Sequence, residues 1–261
     1  MSLLSVKEIW KEYGDNVILE RVNAEVETGE FITIVGASGR GKTTFLKMLL
    51  GTERPSRGQL LLDGKPIAHE PGPDRGIVFQ RYSVFPHLTV LENVVISVEL
   101  MRCKFSGMLW GEKRKAEEKA AKQILEQVGL QHALMKYPFE LSGGMQQRLA
   151  IAQSLVNKPR VLLLDEPFGA LDPGIRKDMH ALILRLWKET GTTIFMVTHD
   201  IREGFYLGTR LWVFDKHRMD PHAPNAFGAK ITFDIPLGHC DDSTYSEIVT
   251  NIKLPLGEHS E

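Results

Sequence analysis

The run FITIVG, residues 31 to 36, leads directly into GASGRGKT, Gly36 to Thr43, and then into the apolar run TFLKMLL, which stops at Gly51. A strand, a glycine-rich loop and a helix in immediate succession match the GxxxxGK[ST] pattern in the context it requires. Gly36, Gly39 and Gly41 free the backbone so that N–H groups curl around phosphates, and the helix N-terminus adds its positive dipole end. The candidate cradle is Gly36, Ala37, Ser38, Gly39, Arg40, Gly41, Lys42, Thr43 and Thr44. In it Lys42 reaches the β and γ phosphates and the Thr43 hydroxyl holds Mg²⁺.

The rest of the composition narrows the class. A chain of 261 residues, 43% hydrophobic and 25% charged, buries a sizeable core without disulfides. Lys plus Arg number 32 against 33 for Asp plus Glu, a net charge of −1, which gives no bias toward nucleic acid. The longest stretches free of charged residues, Tyr82 to Leu91 and Thr190 to His199, are ten residues each, against the roughly 20 of a spanning helix. No basic-then-apolar leader is read at the start, and Cys103 and Cys240 stand alone without CxxC spacing. These features predict a cytosolic protein with reduced thiols that does not itself cross a membrane.

Organisation follows from periodicity. Residues 1 to 35 alternate β-branched and aromatic stretches with turns, and LLLDGKPI, Leu60 to Ile67, places Asp-Gly between apolar runs, so an antiparallel sheet is expected near the N-terminus. From about residue 88 to 140 the character turns helical, with Ile124, Leu125 and Val128 opposite a charged face. Further on, Val161 to Leu164 reads as a buried strand. Asp172-Pro173 opens a helix carrying Ile175, Met179, Leu182, Ile183, Leu186 and Trp187, with Asp172 as N-cap, and TTIFMV follows as a second buried strand. Strands separated by single helices predict a mainly parallel sheet, hence a P-loop α/β core with an N-terminal antiparallel subdomain and a helical insertion. The expected organisation is one ATPase domain over 1–215 and a C-terminal tail over 216–261 with one strand, ITFDIPL. The tail histidines lack close metal spacing, so no metal site is assigned there.

A carboxylate-bearing strand end is needed to hold the metal, and VLLLDE supplies Asp165 and Glu166 where ligands sit in open α/β sheets. Asp165 would hold Mg²⁺ through water, while Glu166 orients and deprotonates the attacking water. LSGGMQQR, Leu141 to Arg148, precedes that strand; Ser142 is a good N-cap, and Gly143 and Gly144 allow a phosphate to approach the backbone.

With the phosphate loop, Gln80, EPFGALD at Glu166 to Asp172 and Thr198-His199-Asp200, this segment makes residues 4 to 215 resemble the nucleotide-binding subunit of an ATP-binding cassette (ABC) transporter. The resemblance implies that two copies pack head to tail around two ATP-Mg²⁺. Ser142, Gly143 and Gly144 then act in trans on the partner's ATP, and Asp172 touches the partner's phosphate loop. It further implies adenine stacking on Tyr13, Mg²⁺ and water sensing by Gln80, and a γ-phosphate hydrogen bond from His199. The implied partners are integral membrane permease subunits and, indirectly, a solute-binding protein, with no nucleic acid and a peripheral place on the cytoplasmic face of the inner membrane.

Departures from the family pattern are few. Met145 stands where Gln is usual, and the LSGGM form resembles the importer ATPases for nitrate, taurine and sulfonates, which implies a small polar solute, among them a nitrogen compound. Arg40 replaces a small residue, its charge adding phosphate or partner contacts. Gly204 and Gly208 replace Ala, expected to cost their helix about 1 kcal/mol each and to lower its rigidity. The stretch Arg81 to Val94 exposes Tyr82, Val84, Phe85 and Pro86 in a turn expected to dock on the permease. Two rivals are a soluble cassette ATPase, disfavoured by the lack of coiled-coil heptads and of a basic face, and a P-loop small-molecule kinase, which leaves LSGGMQQR unexplained.

Overall fold

The computed structural model describes residues 2–80, 83–102, 111–218, 222 and 225–237. Tyr82, Cys103 and Cys240 lie outside the described residues.

Long strands β1 (Ser2–Tyr13) and β2 (Asn16–Glu27) form an antiparallel hairpin. Buried β3 (Phe31–Val35) follows, then α1 (Lys42–Leu50), which Gly51 stops in a left-handed conformation. The Asp63-Gly64 turn joins β4 (Arg57–Leu62) to β5 (Lys65–Pro66), completing an antiparallel sheet of order β2-β1-β4-β5. After β6 (Arg75–Val78) come the helices α2 (Val90–Arg102), α3 (Glu112–Gln127) and α4 (Gly143–Leu155). The chain then alternates through β7 (Val161–Asp165), α5 (Pro173–Thr190), β8 (Thr193–Val197), α6 (Ile201–Leu207), β9 (Arg210–Asp215) and β10 (Lys230–Pro236). The second sheet has the order β10-β9-β3-β8-β7-β6. Its strands are parallel except β10, which pairs antiparallel with β9 at the edge. Crossovers that contain helices join the parallel strands, with single helices between β7 and β8 and between β8 and β9.

Period-two alternation puts the parallel strands between two apolar layers. Leu162, Leu164, Ile194 and Met196 face the helices α2 to α5, while Leu163, Phe195, Val197, Ile32 and Ile34 face α1 and the antiparallel sheet. At roughly 25 cal/mol per Å² of buried apolar area, these two layers are the main stabilising term. Both apolar layers hold the strand ends in fixed register, so the loops leaving those ends are positioned rigidly.

Three expectations are corrected. Asp172 stands at the N-cap position of α5 with Pro173 at its start, but its side chain makes no capping hydrogen bond, so the helix start rests on position and on the φ of Pro173. Gly208 is not inside a helix: it follows α6 in an extended conformation. A Cβ there would lie 2.7 Å from Thr33 Oγ1, and one on Gly204 would lie 3.2 Å from Leu211 Cδ1. The two glycines let α6 settle on β3, where the Thr33 hydroxyl donates to the Gly204 carbonyl at 3.0 Å. In the turn after Gln80, Val84 packs inward against the helical core while Pro86 is exposed, because the Asn93 side chain holds the backbone at Phe85 and Leu88.

Candidate functional site

The ends of β3, β7 and β8 lie side by side: Ile34 and Asp165 both pair with Val197. Everything that follows these residues along the chain is therefore delivered to one edge of the sheet. Gly36 leaves β3 at φ 147, where a Cβ would sit 2.2 Å from the Phe214 carbonyl oxygen, so only glycine lets the loop start this close to β9. Gly41 caps α1 in the left-handed region with no side chain to serve the first turn. The leading N–H groups of α1 are thus left for an anion. Lys42 is buried and donates to the carbonyls of Gly36 at 2.6 Å and Ala37 at 2.9 Å. Burial lowers its ammonium pKa from the ordinary value, against the pull of Glu166 and Asp165.

Thr43 Oγ1 donates to Asp165 Oδ1 at 3.2 Å. Burial raises the Asp165 carboxyl above its usual range; the Thr43 hydrogen bond opposes the shift and neighbouring Glu166 adds to it. A hydroxyl and two crowded carboxylates form a hard-oxygen donor set suited to Mg²⁺ held with phosphate oxygens. Glu166 itself takes φ 50, uncommon for a residue with a side chain, while its N–H donates to the Val197 carbonyl at 3.0 Å. That turn aims its carboxylate at the next strand end, where His199 Nδ1 lies 3.0 Å from Glu166 Oε1.

A cleft of about 320 Å³ opens over this edge, lined by Ile18, Ser38, Gly39, Arg40, Gly41, Lys42, Thr43, Thr44 and Glu166. Of the expected residues, Gly36, Ala37, Asp165 and His199 stand around this edge without lining the cleft. Tyr13, Gln80, Ser142, Gly143, Gly144 and Asp172 are likewise not among its walls. Tyr13 ends β1 with an exposed ring, beside which the Lys11 ammonium sits 4.6 Å from the centroid. Gln80 is exposed just after β6, and Asp172 is exposed ahead of α5. Ser142 caps α4, accepting from the Met145 N–H, and Gly143 is exposed. A Cβ on Gly144 would meet Ile175 Cγ2 at 2.6 Å, so glycine there also allows α4 to lie against α5.

Two features had no legible sequence signal. Ile18 reaches the cleft from β2, as one apolar residue among many in a strand. Arg40 Nε lies 3.1 Å from Asp215 Oδ1, tying the phosphate loop to the end of β9.

A P-loop α/β core with an antiparallel subdomain, a helical insertion and a serine-capped LSGG helix defines the ATP-binding cassette class of ATPases. The family model described as "ABC transporter" matches residues 19–169, and the chain belongs to that family. It is 42% identical over 222 residues to the spermidine/putrescine import ATP-binding protein PotA of Nitrosomonas europaea, covering 84% of this chain and 59% of that protein's length. It is 40% identical over 223 residues to the nitrate import ATP-binding protein NrtD of Synechocystis, covering 85% of this chain and 78% of NrtD. Among solved structures, the dimeric ATP-binding cassette MJ0796 in a post-hydrolysis state with ADP and Pi is 30% identical, with a TM-score of 0.69, covering 90% of this chain and 99% of that one.

Proposed function

We propose that this chain is the ATP-hydrolysing, energy-coupling subunit of an importer for a small polar solute. The observation that carries the reading is the convergence of Lys42, Thr43, Asp165, Glu166 and His199 on one sheet edge, with Thr43–Asp165 at 3.2 Å and Glu166–His199 at 3.0 Å. The α1 N-terminus and Lys42 bind the β and γ phosphates, and Tyr13 stacks on the adenine. Thr43, Gln80 and, through water, Asp165 would hold Mg²⁺, which would supply charge neutralisation at the phosphates. Glu166 takes the proton of the attacking water, whose oxygen bonds to the γ-phosphorus as the bond to the β–γ bridging oxygen breaks and ADP leaves. His199 hydrogen-bonds the γ-phosphate and is oriented by Glu166.

The LSGG walls missing from the cleft come from a second copy in this reading, with Ser142, Gly143 and Gly144 acting in trans and Asp172 at the partner's phosphate loop. The dimeric cassette structure among the similar proteins supports the pairing. The names of two similar proteins, each an import ATP-binding protein, support a role in import; one name speaks of nitrate and the other of spermidine and putrescine. In this reading the chain couples to permease subunits at the cytoplasmic face and, through them, indirectly to a solute-binding protein. No helix among the described residues is long and apolar enough to cross a membrane, which fits a peripheral place. Residues 1–215 act as one ATPase domain with its insertion at about 88–140, and the 216–261 segment extends it through β10.

The test is ATP turnover in proteoliposomes with the permease encoded beside this chain's gene. Turnover stimulated by solute and binding protein is expected. Turnover indifferent to any permease favours a soluble cassette ATPase instead.

A further inference from the structure

A buried polar relay runs beside the catalytic edge and includes the residues on either side of His199. Glu203, on α6, is 7% exposed and both of its carboxylate oxygens are engaged. Oε2 accepts from Thr198 Oγ1 at 2.5 Å, and Oε1 lies 2.7 Å from His180 Nε2 on α5. The same Thr198 hydroxyl accepts the Asp200 N–H at 3.1 Å, and Asp200 Oδ1 in turn accepts the N–H groups of Arg202 at 2.9 Å and Glu203 at 3.3 Å. The residues immediately before and after His199 are therefore tied to each other and to one buried carboxylate. The His180 ring completes the relay, packed edge-on against Phe168 at 5.2 Å and beside Tyr206 at 5.8 Å. Phe168 lies in the stretch that carries Glu166 and Asp172.

We infer that Thr198, Glu203 and His180 are positioning residues that hold the His199 turn against Glu166. The physical reason is the location of His199: its own side chain is largely exposed, so packing does not fix it, and the backbone turn must. A buried carboxylate with two hydrogen-bond partners holds such a turn more rigidly than apolar contact, since leaving either oxygen unpaired is costly. Because His180 also leans on Phe168, the relay links the segment bearing Glu166 and Asp172 to the segment bearing His199. The inference rests on the ATPase reading above.

The test follows release of labelled phosphate by the full-length chain, so that slow turnover is read. Thr198→Val, which keeps shape and removes the hydroxyl, is expected to lower kcat about tenfold with little change in KM for ATP, and Thr198→Ser to restore it. In a His199→Ala background the valine should add no further loss, because what it misplaces is already gone. If Thr198→Val does not fold, the nearly isosteric Glu203→Gln is read the same way. An unchanged kcat in the wild-type background, or an equal loss in the His199→Ala background, overturns the inference and leaves the ATPase reading standing. A wild-type chain that releases no phosphate overturns both.

Discussion

Nδ1 of His199 lies 3.0 Å from Oε1 of Glu166, joining the ends of the neighbouring parallel strands β8 and β7. The contact fixes the imidazole relative to the group read as the base, and it depends on the left-handed turn at Glu166. Glu166→Gln keeps the shape and a hydrogen-bonding oxygen but removes the base. Turnover is expected to fall by about 10²–10⁴ while ATP binding survives, and sedimentation with ATP-Mg²⁺ should show a stable dimer. A variant that turns over near the wild-type rate, or stays monomeric, contradicts the assignment.

Lys42 now spends its ammonium on the Gly36 and Ala37 carbonyls. Exchange of those acceptors for phosphate oxygens gains charge-assisted bonds at a site where burial makes an uncompensated ammonium costly. Lys42→Ala should therefore weaken ATP binding by at least about 2 kcal/mol, roughly thirtyfold. Fluorescent-nucleotide titration giving the wild-type dissociation constant would remove the phosphate-loop assignment.

Asp165 supplies a pH prediction. Burial holds its folded pKa above 3.8, so the folded state binds more protons than the unfolded state in that window. Its contribution to stability is fully present below the unfolded pKa and is lost as pH rises through the folded pKa. Asp165→Asn abolishes this decline. In nucleotide-free protein it should raise the melting midpoint by a few degrees near neutral pH, while Mg²⁺-dependent turnover collapses. Differential scanning calorimetry from about pH 4 to pH 7 checks it; parallel curves for variant and wild type count against it.

Gly208→Ala places a methyl 2.7 Å from Thr33 Oγ1 and 3.0 Å from the Gly204 carbonyl oxygen. Overpacking of this kind costs about 1–3 kcal/mol. Urea unfolding should show that loss, and Thr33→Ala combined with it should recover part, giving a coupling energy of about 0.5 kcal/mol or more. An alanine that stabilises the chain would mean that α6 does not rest this closely on β3.

Phe85 is half-buried in an apolar cleft of about 410 Å³ with Phe79, Leu100 and Met101 in its wall. In the proposed complex Phe85→Glu introduces an unpaired charge where the permease docks, costing several kcal/mol. Co-purification with the permease should fail while the isolated subunit still binds ATP. Retained co-purification with normal uptake places the docking surface elsewhere.

The phosphate loop, the parallel strands and the helix stops at Gly51 and Gly191 were legible in the chain because each rests on local chemistry: apolar runs of fixed period, and glycine where φ turns positive. The edge strand ITFDIPL was legible by the same period. What the sequence did not carry was every relation between distant segments. Val84 reads as exposed in its turn, and only Asn93 reaching back from α2 to Phe85 and Leu88 turns it inward. Gly204 and Gly208 read as helix-weakening, yet against Thr33, far away in the chain, they are the residues that fit. Glu166 meets His199 and Arg40 meets Asp215 only because the strands before them lie adjacent in one sheet, and Thr198 reaches His180 only because Glu203 on α6 bridges to α5. Local periodicity determines which elements form. The order of strands β9-β3-β8-β7, in a sheet buried on both faces, decides which side chains share an edge.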